Sequence, residues 1–205
     1  MVRNILPFGI AMALLATSAS ASNLVLNGGF TTGDFTNWSF GSWGVGTFPA
    51  DPGTPPSGTT FAASTGCVGA PCNDPVSGAF ISQTLATVAS QAYTLTFFYD
   101  AGSNSGAEED GTTELDVLWN GSLVSGGQII DATANTWEQY TFTGLTASGS
   151  STVLEFTGRQ DPATLYLTDI SVTASSTTPE PASLTLIGGG LLCMIGAILR
   201  RQRKV

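Results

Sequence analysis

The stretch Tyr93-Thr94-Leu95-Thr96-Phe97-Phe98-Tyr99 puts Tyr93, Leu95, Phe97 and Tyr99 on one side of the chain and Thr94, Thr96 and Phe98 on the other. A period of two, written in β-branched and aromatic residues, is the pattern of a strand with one face in a core. Further along, Leu115, Val117 and Trp119 repeat the alternation, and Asn120-Gly121 follows as a hairpin signal leading to Leu123-Val124. Asn and Gly tolerate the positive φ that a two-residue hairpin turn demands. Other strands are expected at 23–26, 59–63, 80–85, 137–142, 153–156 and 165–172. In the last of these the apolar set changes phase, from Leu165 and Leu167 to Ile170 and Val172, which predicts a bulge near Thr168-Asp169. Eight or nine short strands without a convincing helix indicate an all-β chain, a β-sandwich of the jelly-roll type.

Of the 205 residues, 15 are acidic, 6 are basic and none is histidine. A formal charge of −9, with Lys and Arg nearly absent from the middle of the chain, argues against a nucleic-acid partner. The missing histidine removes the commonest general base and metal ligand. There is no G-x-S-x-G elbow and no phosphate-cradling glycine loop; the glycines fall at turns, as an all-β fold requires. Paired carboxylates capable of glycoside hydrolysis occur in any acidic chain and carry no signal here. The protein is therefore expected not to be an enzyme.

The two ends are addresses. Arg3, an apolar run over 5–16 and Ala19-Ser20-Ala21 have the layout of a signal peptide, 1–21, cleaved after Ala21. Its partners are the Sec translocon and signal peptidase. At the other end, Pro179-Glu180-Pro181 precedes an apolar run over 182–199, followed by a basic tail over 200–204 that includes Arg200, Arg201 and Arg203. As a helix this run spans about 27 Å, enough for a bilayer core, and the basic tail keeps it oriented with the bulk of the protein outside. Between the addresses, 22–178 holds 14 acidic residues against Arg159 alone, a net of −13. The jelly roll is placed at 22–174, and a Ser/Thr-rich linker at 175–178 leads to the sorting region at 179–205.

The order Pro-Glu-Pro, short glycine-containing apolar helix and terminal Arg cluster resembles the PEP-CTERM sorting signal of Gram-negative bacteria. That resemblance implies transient inner-membrane anchoring, recognition of Pro179, Glu180 and Pro181 by an exosortase, and removal of the helix. It also implies a place on the cell surface or in the extracellular matrix, tied to exopolysaccharide and to biofilm or floc formation. Prolines suit such an element because they hold the backbone extended and free of helix, where a protease can reach it.

The exported part carries a second resemblance. Its opening Asn23-Leu24-Val25-Leu26-Asn27-Gly28-Gly29-Phe30, with Gly33-Asp34-Phe35 and Trp38, is similar to the first strand of galactose-binding-like jelly rolls, the fold of many carbohydrate-binding modules. Ser82-Gln83-Thr84-Leu85, Trp119-Asn120-Gly121, Trp137 and Tyr166-Leu167-Thr168-Asp169-Ile170-Ser171-Val172 follow in the order seen in PEP-CTERM proteins of that fold. The alternative reading this implies is a carbohydrate-binding module for polysaccharide, with a structural calcium. That calcium would use an acid after the opening Phe and an Asp pair before the final Val-Ser-Val. Here those positions are Thr31 and Thr168-Asp169, which leaves Asp169, with Asp34 as a substitute.

Cys67 and Cys72 are expected to form a local disulfide in an oxidising compartment, adding about 2 kcal/mol at best. Glu108, Glu109 and Asp110, with Glu114 and Asp116, are read as a solvated loop at one end of the sandwich, because the preceding order Asp100-Ala101-Gly102-Ser103-Asn104 does not match an EF-hand loop. Trp38 and Trp119 are read as core. Trp43, in the glycine-rich run 41–46, is expected to be the exposed aromatic able to stack on a sugar ring. Arg159, the sole cation of the exported part, is the second candidate ligand residue.

Overall fold

The computed structural model describes residues 22–47, 53–66, 79–102, 113–130, 132–159 and 164–175. Ten strands occur among them: β1 (Ser39–Gly41), β2 (Gly44–Thr47), β3 (Phe61–Gly66), β4 (Phe80–Ala86), β5 (Ala92–Asp100), β6 (Glu114–Trp119), β7 (Ser122–Ile130), β8 (Glu138–Thr146), β9 (Ser151–Arg159) and β10 (Thr164–Ala174). They form two five-stranded antiparallel sheets, ordered β1-β4-β9-β6-β7 and β2-β3-β10-β5-β8. This is the expected jelly-roll sandwich: apart from the adjacent pairs β2–β3 and β6–β7, consecutive strands pass from one sheet to the other, and the apolar faces meet in one core.

The period-two stretch sits at the centre of this core. Tyr93, Leu95, Phe97 and Tyr99 are buried along β5. Phe97 meets Phe156 of the opposite sheet edge to face at 5.2 Å and stacks on Tyr140 and Phe142 of β8. Trp38 and Trp119 are core residues as expected; the Trp119 indole donates to the Thr146 carbonyl at 3.0 Å. Asn120 and Gly121 take φ of 53° and 76°, as the β6–β7 hairpin requires.

The bulge in β10 falls where the phase change predicts it. Pairing with β5 shifts register between Thr168 and Ser171, and Asp169 has φ of 53°. That one unpaired step lets Leu165 and Leu167, then Ile170 and Val172, all face the core. The Ile170 amide donates to the Gly28 carbonyl at 3.0 Å. A Cβ at Gly28 would lie 2.1 Å from the Ile170 carbonyl oxygen, so the approach demands glycine.

One sequence expectation needs correction. The opening segment is not a full strand: Asn23 makes an isolated bridge to Thr173, and Gln83 of β4 holds Leu26. The last strand, β10, ends at Ala174. Among the described residues there is no helix long and apolar enough to cross a membrane; the apolar run 182–199, the leader 1–21 and the Pro179-Glu180-Pro181 element lie outside those residues.

Phe97→Ala removes a wholly buried ring touching both sheets. It is expected to cost about 3–5 kcal/mol, read as a lower urea midpoint at unchanged slope. A second test concerns Asp116 on the outer side of β6, whose carboxyl is pushed up by burial and then by Glu114. The folded protein therefore holds this proton more tightly than the unfolded chain, and stability falls as pH rises from the ordinary Asp value through the raised one. Asp116→Asn should raise Tm at pH 7 by at most about 2–4 °C, with the gain vanishing near pH 3 in thermal melts.

Candidate functional site

Asn27 organises the turn that follows the opening segment. It takes φ of 52°, and its side-chain amide donates to Thr32 Oγ1 at 2.7 Å and to the Asp34 and Thr36 carbonyls at 3.0 and 3.2 Å. The Trp38 indole donates to the Asn27 carbonyl at 3.2 Å. Phe30, fully buried, packs against Phe35 at 5.8 Å and Trp38 at 5.7 Å. Gln83, also buried, donates to the Leu26 and Asn37 carbonyls at 2.9 and 3.1 Å and accepts from the Leu26 amide at 2.8 Å. A buried amide so fully bonded fixes the loop without leaving an orphan group.

These ties present an open cleft of about 450 Å³ lined by Asp34, Phe35, Phe40, Trp43 and Val45 among others. Phe35 and Phe40 stack at 4.3 Å with 23° between their planes, and Phe40 remains 54% exposed. Asp34 Oδ1 accepts from the Thr32 hydroxyl at 2.7 Å and the Thr36 amide at 2.9 Å. Those bonds, that to Thr36 foremost, hold its carboxyl below the usual range, so it is ionised at neutral pH. A flat apolar ring beside a fixed carboxylate is the combination that takes the apolar face and the hydroxyls of a sugar.

The structure brings two of the four predicted ligand and metal residues, Asp34 and Trp43, to this cleft, but changes the role of Trp43. It is only 6% exposed and belongs to the core cluster, with its ring 3.2 Å from where a Cβ at Gly158 would sit. The reason is local: 44–47 is strand β2 rather than a flexible glycine run, and Trp43 lies where the chain crosses from one sheet to the other. Phe40, which sequence reasoning passed over, is the exposed ring. Its signal was five-residue spacing from Phe35 around a buried Trp38, legible only once the loop closes. Arg159 ends β9 with its backbone opposite Glu114; its side chain, with Cys67, Cys72 and the 108–110 acids, lies outside the described residues.

Asp169 is elsewhere, on the β10 bulge. Its carboxylate accepts from the Ser57 and Thr59 hydroxyls, while Thr168 Oγ1 donates to the Phe61 carbonyl at 2.8 Å. Asp34 and Asp169 share no partner, and among the described residues no group of three or more His, Cys, Asp or Glu gathers as a metal site. A hard cation wants six or more oxygens with several charges among them, so this donor set does not fit calcium. Ser57→Ala with Thr59→Val is expected to cost about 1–3 kcal/mol in chemical denaturation, since it strips the bulge carboxylate of its two donors.

The comparisons agree with this architecture. The solved carbohydrate-binding module TmCBM61, in complex with β-1,4-galactotriose, matches with a TM-score of 0.51 over 76% of this chain and 100% of that one, at 13% identity. The CBM22-1 xylan-binding domain of Paenibacillus barcinonensis Xyn10C matches at 0.50, covering 79% and 100% with 13% identity. The Stig cyclase Fisc from Fischerella sp. TAU matches at 0.52, covering 76% and 98% with 19% identity. Binders and a cyclase thus share the fold, which by itself does not assign an activity. No curated protein matches the chain. Residues 177–204 match the PEP-CTERM protein-sorting motif. The chain is an exported protein with a jelly-roll domain of the kind found in carbohydrate-binding modules, followed by a PEP-CTERM sorting motif on which an exosortase acts.

Proposed function

We propose that the exported domain is a non-catalytic polysaccharide binder of the cell surface or extracellular matrix, with the Phe35–Phe40 cleft as its ligand site and exopolysaccharide as its ligand class. The observation that carries this reading is the stacked, half-exposed Phe40 ring next to the anchored Asp34 carboxylate. Sorting by exosortase brings such a domain to where surface glycans are. A surface of net −13 over 22–178 suits neutral glycans and repels strongly anionic ones. In this setting the protein contributes to biofilm or floc cohesion.

The mature protein should be retarded in affinity gels containing the producer's own polysaccharide, and calcium chelation should leave the retardation unchanged. Phe40→Ala should weaken binding about tenfold or more while leaving Tm within about 1 °C, because the ring lies largely outside the core. Unchanged mobility of the wild type across a panel of surface glycans would sink the proposal.

A further inference from the structure

The sandwich is electrically lopsided along its strand axis. At one end the chain passes between strands at 87–91, 120–121 and 147–150, and residues 22–23 and 175 lie beside them. None of these side chains is charged. At the other end β6 and β8 begin with the partly exposed Glu114 and Glu138, and β5 finishes with the buried Asp100. In sequence, the connections between the strand ends on that side carry six more acids. Nine-residue strands such as β5, β8 and β9 separate the two ends by about 30 Å.

The uncharged end is a built surface rather than a set of loose loops. The Thr87 amide donates to the Ser150 carbonyl at 3.0 Å, and Thr87 Oγ1 donates to Gly149 at 2.9 Å. The Ser90 amide bonds Ala147 at 2.8 Å, the Ala147 amide bonds Gln91 at 3.0 Å, and the Val88 amide bonds the Tyr93 hydroxyl at 2.9 Å. Val88, 67% exposed, is the apolar residue it shows to solvent.

The last described residue, Ser175, lies at this same end. The Ser175 amide donates to the Ala92 carbonyl at 2.8 Å, and Gln91 Nε2 donates to the Ser175 carbonyl at 2.9 Å. From that anchored residue to Ala182, where the apolar run begins, is seven residues in sequence, a reach of at most about 25 Å. We propose that this uncharged end is the face the precursor turns to the membrane surface while its C-terminal segment is still anchored. The proposal rests on the sorting motif as the point of attachment. A tether of at most about 25 Å is shorter than the strand axis of the domain, which keeps the attached end the nearer one to the bilayer, and the charge reinforces that orientation. With the neutral end down, the acidic end stands several Debye lengths from anionic headgroups, which at physiological salt is about 8 Å each. Inverted, the same carboxylates would meet like charge at contact.

The test uses the full chain reconstituted in vesicles of phosphatidylcholine with about one quarter phosphatidylglycerol, followed by amide hydrogen exchange. Amides of 87–91 and 147–150 should exchange about fivefold more slowly than in a chain carrying a flexible insert of about 12 residues after Ser176, while 132–137 is unaffected. Val88→Glu should abolish that protection; the matched control Ile130→Glu, exposed near the acidic end, should leave it intact. Equal exchange in the short and long tethers, protection at the acidic end instead, or protection arising only when exosortase is added would each overturn the proposal, the last assigning the face to the enzyme. Because no cleavage is required, a failure of processing in the host leaves this result standing.

Discussion

One unpaired step in β10 holds the sandwich together. Without the bulge at Asp169, a strand of period two would send either Leu165 and Leu167 or Ile170 and Val172 to solvent. With it, β10 buries both pairs while remaining bonded to β3 and β5. The same step places the Ile170 amide against Gly28 and the Asp169 carboxylate under two hydroxyls of the 53–60 stretch. Three segments far apart in sequence converge on it. The Ser57 and Thr59 hydroxyls satisfy the Asp169 carboxylate on the bulge.

Charge is partitioned as carefully as apolar surface. Among the described residues Asp116 lies on the outer side of β6, and Glu114 and Glu138 begin strands at the end remote from Ser175. Burial, and after it the neighbouring Glu114, raises the Asp116 carboxyl, so this charge weakens the fold slightly. The other end, tied by backbone bonds and serine and threonine hydroxyls, needs no charge for solubility because its polar groups are plentiful and small.

Much of this could be read from residues. Alternation in β5 and β6, the Asn120-Gly121 hairpin and the phase slip before Asp169 all report local backbone requirements, so they survive in sequence. The cleft was less legible, because it depends on closure. Asp34 and Trp43 both line the cleft, yet Trp43 is buried and the exposed ring is Phe40. A glycine-rich run looks mobile until Gly44 and Gly46 are found on an edge strand with open space around them. The role of Gln83 was hidden for the same reason, since a buried amide has meaning only beside the Leu26 and Asn37 carbonyls it bonds.

The bridge between Asn23 and Thr173 sets the domain's first and last residues side by side. While the chain is tethered by its C-terminus, any drag on the domain is transmitted through Ser175 into β10 along that strand's own axis. A load in that direction shears the ladders to β3 and β5 together rather than unzipping them bond by bond, since ladder bonds lie across the strand. The domain is thus pulled in its mechanically stiff direction, and the bulge, locked by Asp169 and Gly28, is the notch that resists the slide.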